Sequence, residues 1–507
     1  MLNGAIRSFA ETADSTRIFN ESVPAFRRAL EQAVEAGTQV VLLVGDLTDD
    51  GQRPNIRRAM ALIEEFRSQH GLRVLATPGN HDLFALSGRP MVKGFLTETG
   101  ETFRVDSADY PEAATLGTAE ALGLMQSLGY QPQPDDLHWE SPFGSDPAWA
   151  ARQYQVSSAD GSASALVIDS SYLIEPIPGL WVLSLDTNVP VPRDGAQDLN
   201  DPASWLDPTS HGWPVVLRHR PHLLPWMQDV AARAKALGKR LISFSHYPVL
   251  DALDISAGER ALLGNKTGLA CRAPDLASAE AFAASGVGLH ISGHLHVNTV
   301  TRYESAAGAV VNIAAPSPVG FAPGMKIFEM SPEATEVRTV PLREVPGHDL
   351  AYAAYRREAE HLGLPPPPAA FAPDHGAFLD AHLDIIVPER YMHREWPPAL
   401  TAYVKSHSLA ELLVELGLPQ EAAPQISLLQ LVTDWYRLRK GGETGADYIP
   451  SARLAYYRAL VADLPSRAPE GHVGKLLELL RLMADLFGRL PDRNFRISAE
   501  SLDVSAL

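Results

Sequence analysis

Four short polar motifs, each set directly after an apolar run, constrain this chain more than any other feature: Gly45-Asp46, Gly79-Asn80-His81-Asp82, Ser245-His246-Tyr247 and Gly293-His294-Leu295-His296. The runs before them, Val40 to Val44, Val74 to Ala76, Leu241 to Phe244 and Gly288 to Ile291, read as buried strands. The motifs therefore fall at strand C-termini, and in a parallel α/β sheet those ends face one crevice. Asp46, Asn80, His246, His294 and His296 then meet there although they are far apart in sequence. Oxygen and imidazole donors suit Mn, Fe, Zn or Co better than Ca or Mg, and Cys271, the only cysteine, excludes a thiolate cage.

The intervening sequence supports layered α/β order. The spacing predicts a helix capped by Ser22, striped by Phe26, Ala29, Leu30, Ala33 and Val34, and closed by Gly37. A second helix, capped by Asn55 and striped by Ile56, Ala59, Leu62, Ile63 and Phe66, ends at Gly71 and feeds the strand before Gly79. Residues 83–165 are rich in Gly, Pro, Ser and Asp, which predicts an insertion of short elements above the crevice. A strand is expected over Gly179 to Leu185, a helix over Leu224 to Leu237, and later strands at Ala309 to Ile313, Lys326 to Met330 and Glu336 to Val340. After Pro346 the character changes. Pro365 to Pro368 reads as a stiff connector, followed by helical patterns at Leu409 to Leu416, Ser451 to Leu464 and Val473 to Leu490. The expected organisation is a domain over 1–345, a Pro-rich linker over 346–373 and a mostly α-helical C-terminal domain over 374–507. The Leu-rich stripes of that last part read as packing surfaces, with a dimer interface as the alternative use.

Charge narrows the partners. With 61 acidic and 43 basic residues the net charge is −18, a surface that repels polyanions, so binding to long nucleic acid is disfavoured and a small phosphorylated substrate is favoured. No apolar run of about 18 residues marks a membrane span, and the opening MLNGAIRSFAETADSTRIFN lacks a basic stretch followed by an apolar one. The single Cys271 suits a reducing compartment. The expected location is cytoplasmic.

The four motifs, in this order and each after an apolar strand, resemble the calcineurin-like metallophosphoesterases over about residues 15 to 340. The resemblance implies a β-sandwich flanked by helices and two metal ions ~3.5–4 Å apart that hydrolyse a phosphomonoester or phosphodiester by attack of a metal-bound hydroxide. It implies that Asp46 bridges the metals, that Asn80, His246 and His294 complete one shell, and that His296 serves the other. It makes His81 the general acid, oriented by Asp49. Asp50 stands where the related protein phosphatases carry a phosphate-gripping arginine, which argues against a protein phosphatase; Arg218, His219 and Arg220 are the candidate replacement grips, against the plain alternative of a solvated loop. His290, inside an apolar strand, is expected in the core, and Asp186 ends another strand. A cyclic-nucleotide or nucleotide-sugar phosphodiesterase is the alternative enzyme, and a non-catalytic scaffold retaining a partial metal site is the alternative from another class.

One family motif is missing. The family opens with a strand and D-x-H, but no histidine precedes His70 here and no apolar strand precedes Ser22. The chain is then either a variant with a damaged site or one whose start is set too late, and retention of the other ligands favours the second. One well-formed and one weak or empty metal site are expected, with impaired hydrolysis and an apolar slot where a central strand is lacking.

Overall fold

In the computed structural model, residues 5–264, 267–419, 425–466 and 470–507 are described. The largest sheet has seven strands: β6 (His138–Glu140), β9 (Tyr172–Ile177), β10 (Leu180–Leu185), β11 (Arg240–Ser245), β12 (Leu289–Ser292), β13 (Thr299–Ser305) and β14 (Gly308–Ala314), in the order 13-14-12-11-10-9-6. Its centre, β10, β11, β12 and β14, is parallel, and the flanking strands run antiparallel. A two-stranded parallel unit, β2 (Val40–Leu43) with β3 (Arg73–Ala76), lies alongside. It is attached by side chains, with Tyr172 Oη donating to the Ala76 carbonyl at 2.8 Å and Thr77 Oγ1 to the Leu185 carbonyl at 3.1 Å.

The opposite layer is a four-stranded antiparallel sheet of β15 (Gly324–Met330), β16 (Ala334–Pro341), β17 (Asn494–Ser498) and β18 (Val504–Ala506). Phe244, Ile291 and Ile313 of the large sheet and Val337 and Phe495 of the smaller one share an apolar core with Leu75, Ile63 and Phe66. On the other face of the large sheet, Leu183 and Leu185 pack with Trp213, Met227, Val230 and Phe282. The architecture is thus an α/β sandwich with flanking helices, and its C-terminal region is largely helical.

The early helices follow the apolar stripes but not the expected caps. The first spans Ser22–Glu35 with Glu21 at its N-cap, and the second spans Arg53–His70 with Gln52 at its N-cap, so neither Ser22 nor Asn55 caps a helix. Pro54 in the first turn costs nothing there, because the amide it removes has no intrahelical partner, and so the second helix starts three residues early. The 83–165 segment forms short elements, among them β4 (Val92–Leu96), β5 (Thr102–Asp106), β7 (Gln153–Ser157) and the start of its partner β8 (Ser164–Ile168).

Two features depart from the expected organisation. Residues 346–373 do not form a free linker: Pro368–Phe371 is a tight turn whose Ala369 and Ala370 are fully buried in one cluster with Tyr355 and Phe378. The C-terminal residues do not build a separate core either. Leu383, Leu400, Trp435 and Leu480 share one apolar cluster with Leu253, Leu262, Leu295 and Phe321, and β17 pairs with β16. The stripe Leu476, Leu479, Leu480 and Met483 is buried within this core. Periodicity in sequence tells which face of a helix is apolar, not which part of the chain covers it.

No strand pairs with the second edge of β2 among the described residues, and Val40, Val41, Leu42 and Leu43 are all partly exposed although wholly apolar. The N-terminal β1 (Ile6–Arg7) pairs with β4 instead. No helix among the described residues is long and apolar enough to cross a membrane.

The N-terminal segment is fastened to the helix Tyr352–His361 through Glu21. Its Oε1 accepts from Tyr355 Oη at 2.9 Å, while its Oε2 is buried without a partner. Burial raises the Glu21 pKa to about 7, against a partial opposing effect of the Tyr355 hydrogen bond. The folded state therefore holds a proton that the unfolded chain releases near the ordinary glutamate value of 4.5, so stability falls as pH rises through the window from 4.5 to about 7. Glu21→Gln is expected to flatten this fall. Melting curves should show little difference from wild type near pH 5 and a higher Tm for the variant near pH 8; equal Tm values at both pH values would refute the assignment.

Candidate metal centre

The four motifs lie at the C-terminal ends of β2, β3, β11 and β12. Three glycines let their loops close on one another. A Cβ at Gly45, which has a φ of 80°, would run into the His246 ring, one at Gly79 into Asp46, and one at Gly293 into the Val44 carbonyl. Asp46, His294 and His296 themselves adopt left-handed φ values of 54°, 64° and 50°, which non-glycine residues rarely do. Such strain persists only where the surroundings hold it, and it collects at functional sites.

The donor atoms converge on His246. Its Nδ1–H donates to the Val44 carbonyl at 2.8 Å, which leaves the Nε2 lone pair facing inward. Around Nε2 stand Asn80 Oδ1 at 3.1 Å, Asp46 Oδ2 at 3.2 Å and His294 Nδ1 at 3.2 Å. Ligands about 2.1 Å from a single ion lie about 3.0–3.4 Å from each other, so this spacing fits one divalent transition ion held by two oxygens and two imidazoles. The other nitrogen of His294, Nε2, is buried without a hydrogen-bond partner. Burial works against charge on Asp46, yet His246 and His81 hold its pKa well below the usual carboxylate range. Burial, with His246 beside it, pushes the His294 ring well down, so it stays neutral and able to ligate.

The structure brings together Asp46, Asn80, His246 and His294, but His296 stands outside this group of donor atoms. Burial, Lys440 and Arg17 push the His296 ring down to about 3.

His81 lies at the edge of the centre. Its backbone N–H donates to Asp46 Oδ1 at 2.8 Å, and its ring is about a quarter exposed, at 23 %. Its Nδ1 is 3.0 Å from Asp50 Oδ1, so Asp50 and not Asp49 is the carboxylate that orients the ring. Asp49 is instead spent on cations: Arg17 Nη2 at 2.6 Å, and Arg7 Nη1 and Lys93 Nζ at 3.0 Å each. Burial opposes its charge, but Arg17, Lys93 and Arg7 hold it far below the usual carboxylate range. Spacing along the chain does not separate neighbouring aspartates; their tertiary partners do.

The expected grip Arg218, His219 and Arg220 is not at the centre. The three end the helix Gly212–His219 and its cap. Arg220 is buried and bound to Asp186 Oδ2 at 3.1 Å and Tyr154 Oη at 2.7 Å, Arg218 is exposed, and burial pushes the His219 pKa down. Asp186 is thereby a structural partner of Arg220 rather than a crevice residue. His290 is a fully buried core residue whose ring nitrogens meet Ser243 Oγ at 2.8 Å and Ser245 Oγ at 2.9 Å.

The cations near His81 come from segments without a motif. Arg17 Nη2 lies 3.1 Å from His81 Nδ1, Lys93 of β4 pairs with both Asp49 and Asp50, and Arg89 Nη2 is 3.7 Å from Asp50 Oδ1. Nothing in their local sequence points to the site. Asp82 was readable only as a neighbour of His81; it ties two ligand loops together, accepting from the Thr48 amide at 3.0 Å and the Gly79 amide at 2.9 Å.

Oxygen and imidazole donors gathered at the ends of parallel strands define a metalloprotein of the α/β sandwich class. Residues 20–298, more than half of the chain, match the calcineurin-like phosphoesterase family model, and the chain belongs to that family. No curated protein matches it. Among solved structures, a dimetal phosphatase from Danio rerio is similar at 15 % sequence identity and a TM-score of 0.35, over 64 % of this chain and 87 % of that one.

The donor geometry predicts one tightly held transition ion per chain and a second held weakly at most. Elemental analysis after dialysis should give close to one ion, and His246→Ala should remove it. Two tightly held ions would show that a residue outside the group completes a second site.

Proposed function

We propose that the protein is a metal-dependent phosphoesterase acting on a small phosphomonoester or phosphodiester, with Asp46, Asn80, His246 and His294 as the ligands of one ion and His296 as a lone, weaker ligand of a second. The single observation that carries this reading is the gathering of three donor atoms at 3.1–3.2 Å around a fourth, His246 Nε2, with His81 beside them. A bound divalent ion would offset the anionic charge of a phosphate and acidify a water near it.

The chain's own residues supply the rest. His81 donates Nδ1–H to Asp50, so its Nε2 is the nitrogen free to meet the leaving oxygen. Protonated there, it transfers that proton as the P–O bond breaks, and Asp50 stabilises the imidazolium. Burial and the neighbouring Asp49 would raise the Asp50 pKa, but the His81 hydrogen bond together with the charges of Lys93 and His81 lowers it overall, so Asp50 remains an anion for this task. Arg17, 3.1 Å from the His81 ring, is the proposed phosphate-facing cation in place of the Arg218–Arg220 cluster. It is pre-oriented by its Asp49 bonds, so little side-chain entropy is lost on contact with substrate. Asp46 and His296 are the ligands left to a second ion, which supports a weak second site and modest turnover.

Hydrolysis of p-nitrophenyl phosphate and its bis ester with added manganese tests the reading, and absence of turnover of both would overturn it in favour of a binding protein. His81→Ala should lower kcat by ~10²–10⁴-fold with metal content unchanged. Asp50→Asn should lower kcat in the same direction, whereas Asp49→Asn, which strands three cations, should first lower Tm. A larger kcat loss for Asp49→Asn than for Asp50→Asn would reverse the assignment.

A further inference from the structure

The His294-Leu295-His296 segment and the nearby Asn298 are fastened to the C-terminal region by three hydrogen bonds that the site chemistry does not use, one at Leu295 and two at Asn298. The helix Leu428–Ala446 kinks at Gly442, where φ is 53° and ψ −132°, and just before the kink the Gly441 carbonyl accepts from Thr444 Oγ1 at 2.7 Å. Asn298 bonds the same stretch: its backbone N–H donates to the Lys440 carbonyl at 2.8 Å and its Nδ2 to the Gly441 carbonyl at 3.3 Å. In return Lys440 Nζ donates to the Leu295 carbonyl at 3.0 Å. Leu295 lies between the two left-handed histidines, and Lys440, Asn298 and Leu295 are all buried.

We infer that Lys440 is a positioning residue which, with Asn298, clamps the strained His294-Leu295-His296 loop and so makes the C-terminal region part of the metal centre. A left-handed φ at a non-glycine residue is strained and relaxes unless the surroundings hold it. Two such residues flank Leu295, and the bond from Lys440 to its carbonyl is the direct restraint on the peptide between them. The charge on Lys440 is not the essential part. Burial pushes its amine down to about 7, and both the charged and the neutral amine carry N–H groups to donate. Its side chain also stands over the Tyr391 ring at 5.7 Å, and the neighbouring Arg439 Nη2 binds Glu259 Oε2 at 2.6 Å, so the helix end is anchored on both sides of the clamp.

The consequence for metal affinity rests on the ligand reading proposed above; the clamp itself does not. Two measurements on the full chain separate them. Amide hydrogen exchange in the metal-free protein should be faster at residues 293–298 in Lys440→Met than in wild type. It should be unchanged there in Arg437→Met, which alters the same helix one turn earlier, away from the loop. Calorimetric titration with Mn²⁺ should then show affinity weakened ~10–100-fold by Lys440→Met and unaffected by Arg437→Met. Lys440→Gln, which keeps an N–H donor, should fall between wild type and Lys440→Met, and it decides the question by the same comparisons if the methionine variant does not fold. Wild-type exchange at 293–298 in the lysine variants would overturn the clamp. Failure of wild type to bind Mn²⁺ would overturn the ligand reading and leave the exchange result to judge the clamp.

Discussion

The hydrogen bond from His246 Nδ1 to the Val44 carbonyl is the contact on which the centre depends. It crosses from the end of β11 to the end of β2, two strands that share no ladder, and it fixes which nitrogen of His246 faces the other donors. Because it is so short a link, the loops that meet there have no room for side-chain carbons, which is why glycine stands at positions 45, 79 and 293. Membership of the calcineurin-like phosphoesterase family and the donor geometry therefore express one requirement: strand ends must approach closely enough for lone pairs to share an ion.

Around that point the charges are layered. Asp46 faces the histidines, Asp50 faces His81, and Asp49 faces outward to Arg7, Arg17 and Lys93. Three carboxylates within five residues would repel one another in a dry site, and each is instead matched to its own cation or imidazole. Two of those cations, Arg7 and Arg17, belong to the N-terminal segment, and Lys93 belongs to β4 of the 83–165 insertion. The insertion thus acts on the site through charge, by setting the partners of Asp49 and Asp50.

The C-terminal region is likewise bound into the phosphoesterase sandwich. Its last strands extend the β15–β16 sheet, its helices complete the apolar core beneath residues 252–322, and Lys440 reaches the histidine loop. An apolar stripe signals that a helix face is covered; here the cover is the rest of the same chain. The open edge of β2, apolar yet partly exposed, is a part of the sandwich where burial falls short of what the sequence pattern predicts.

The order of strand-then-motif was legible in the sequence, because buried strands must be apolar and the donors that follow them are chemically conspicuous. From that alone came the fold class, the family, and the convergence of Asp46, Asn80, His246 and His294. Tertiary structure decided what spacing cannot express. It chose Asp50 over Asp49 for His81, turned Arg220 inward to Asp186, and drew Arg17, Lys93 and Lys440 to the site from segments with no motif of their own. Sequence periodicity reports local geometry and burial, whereas the pairing of charges and the hydrogen bonding at a helix kink depend on which distant segments happen to be adjacent.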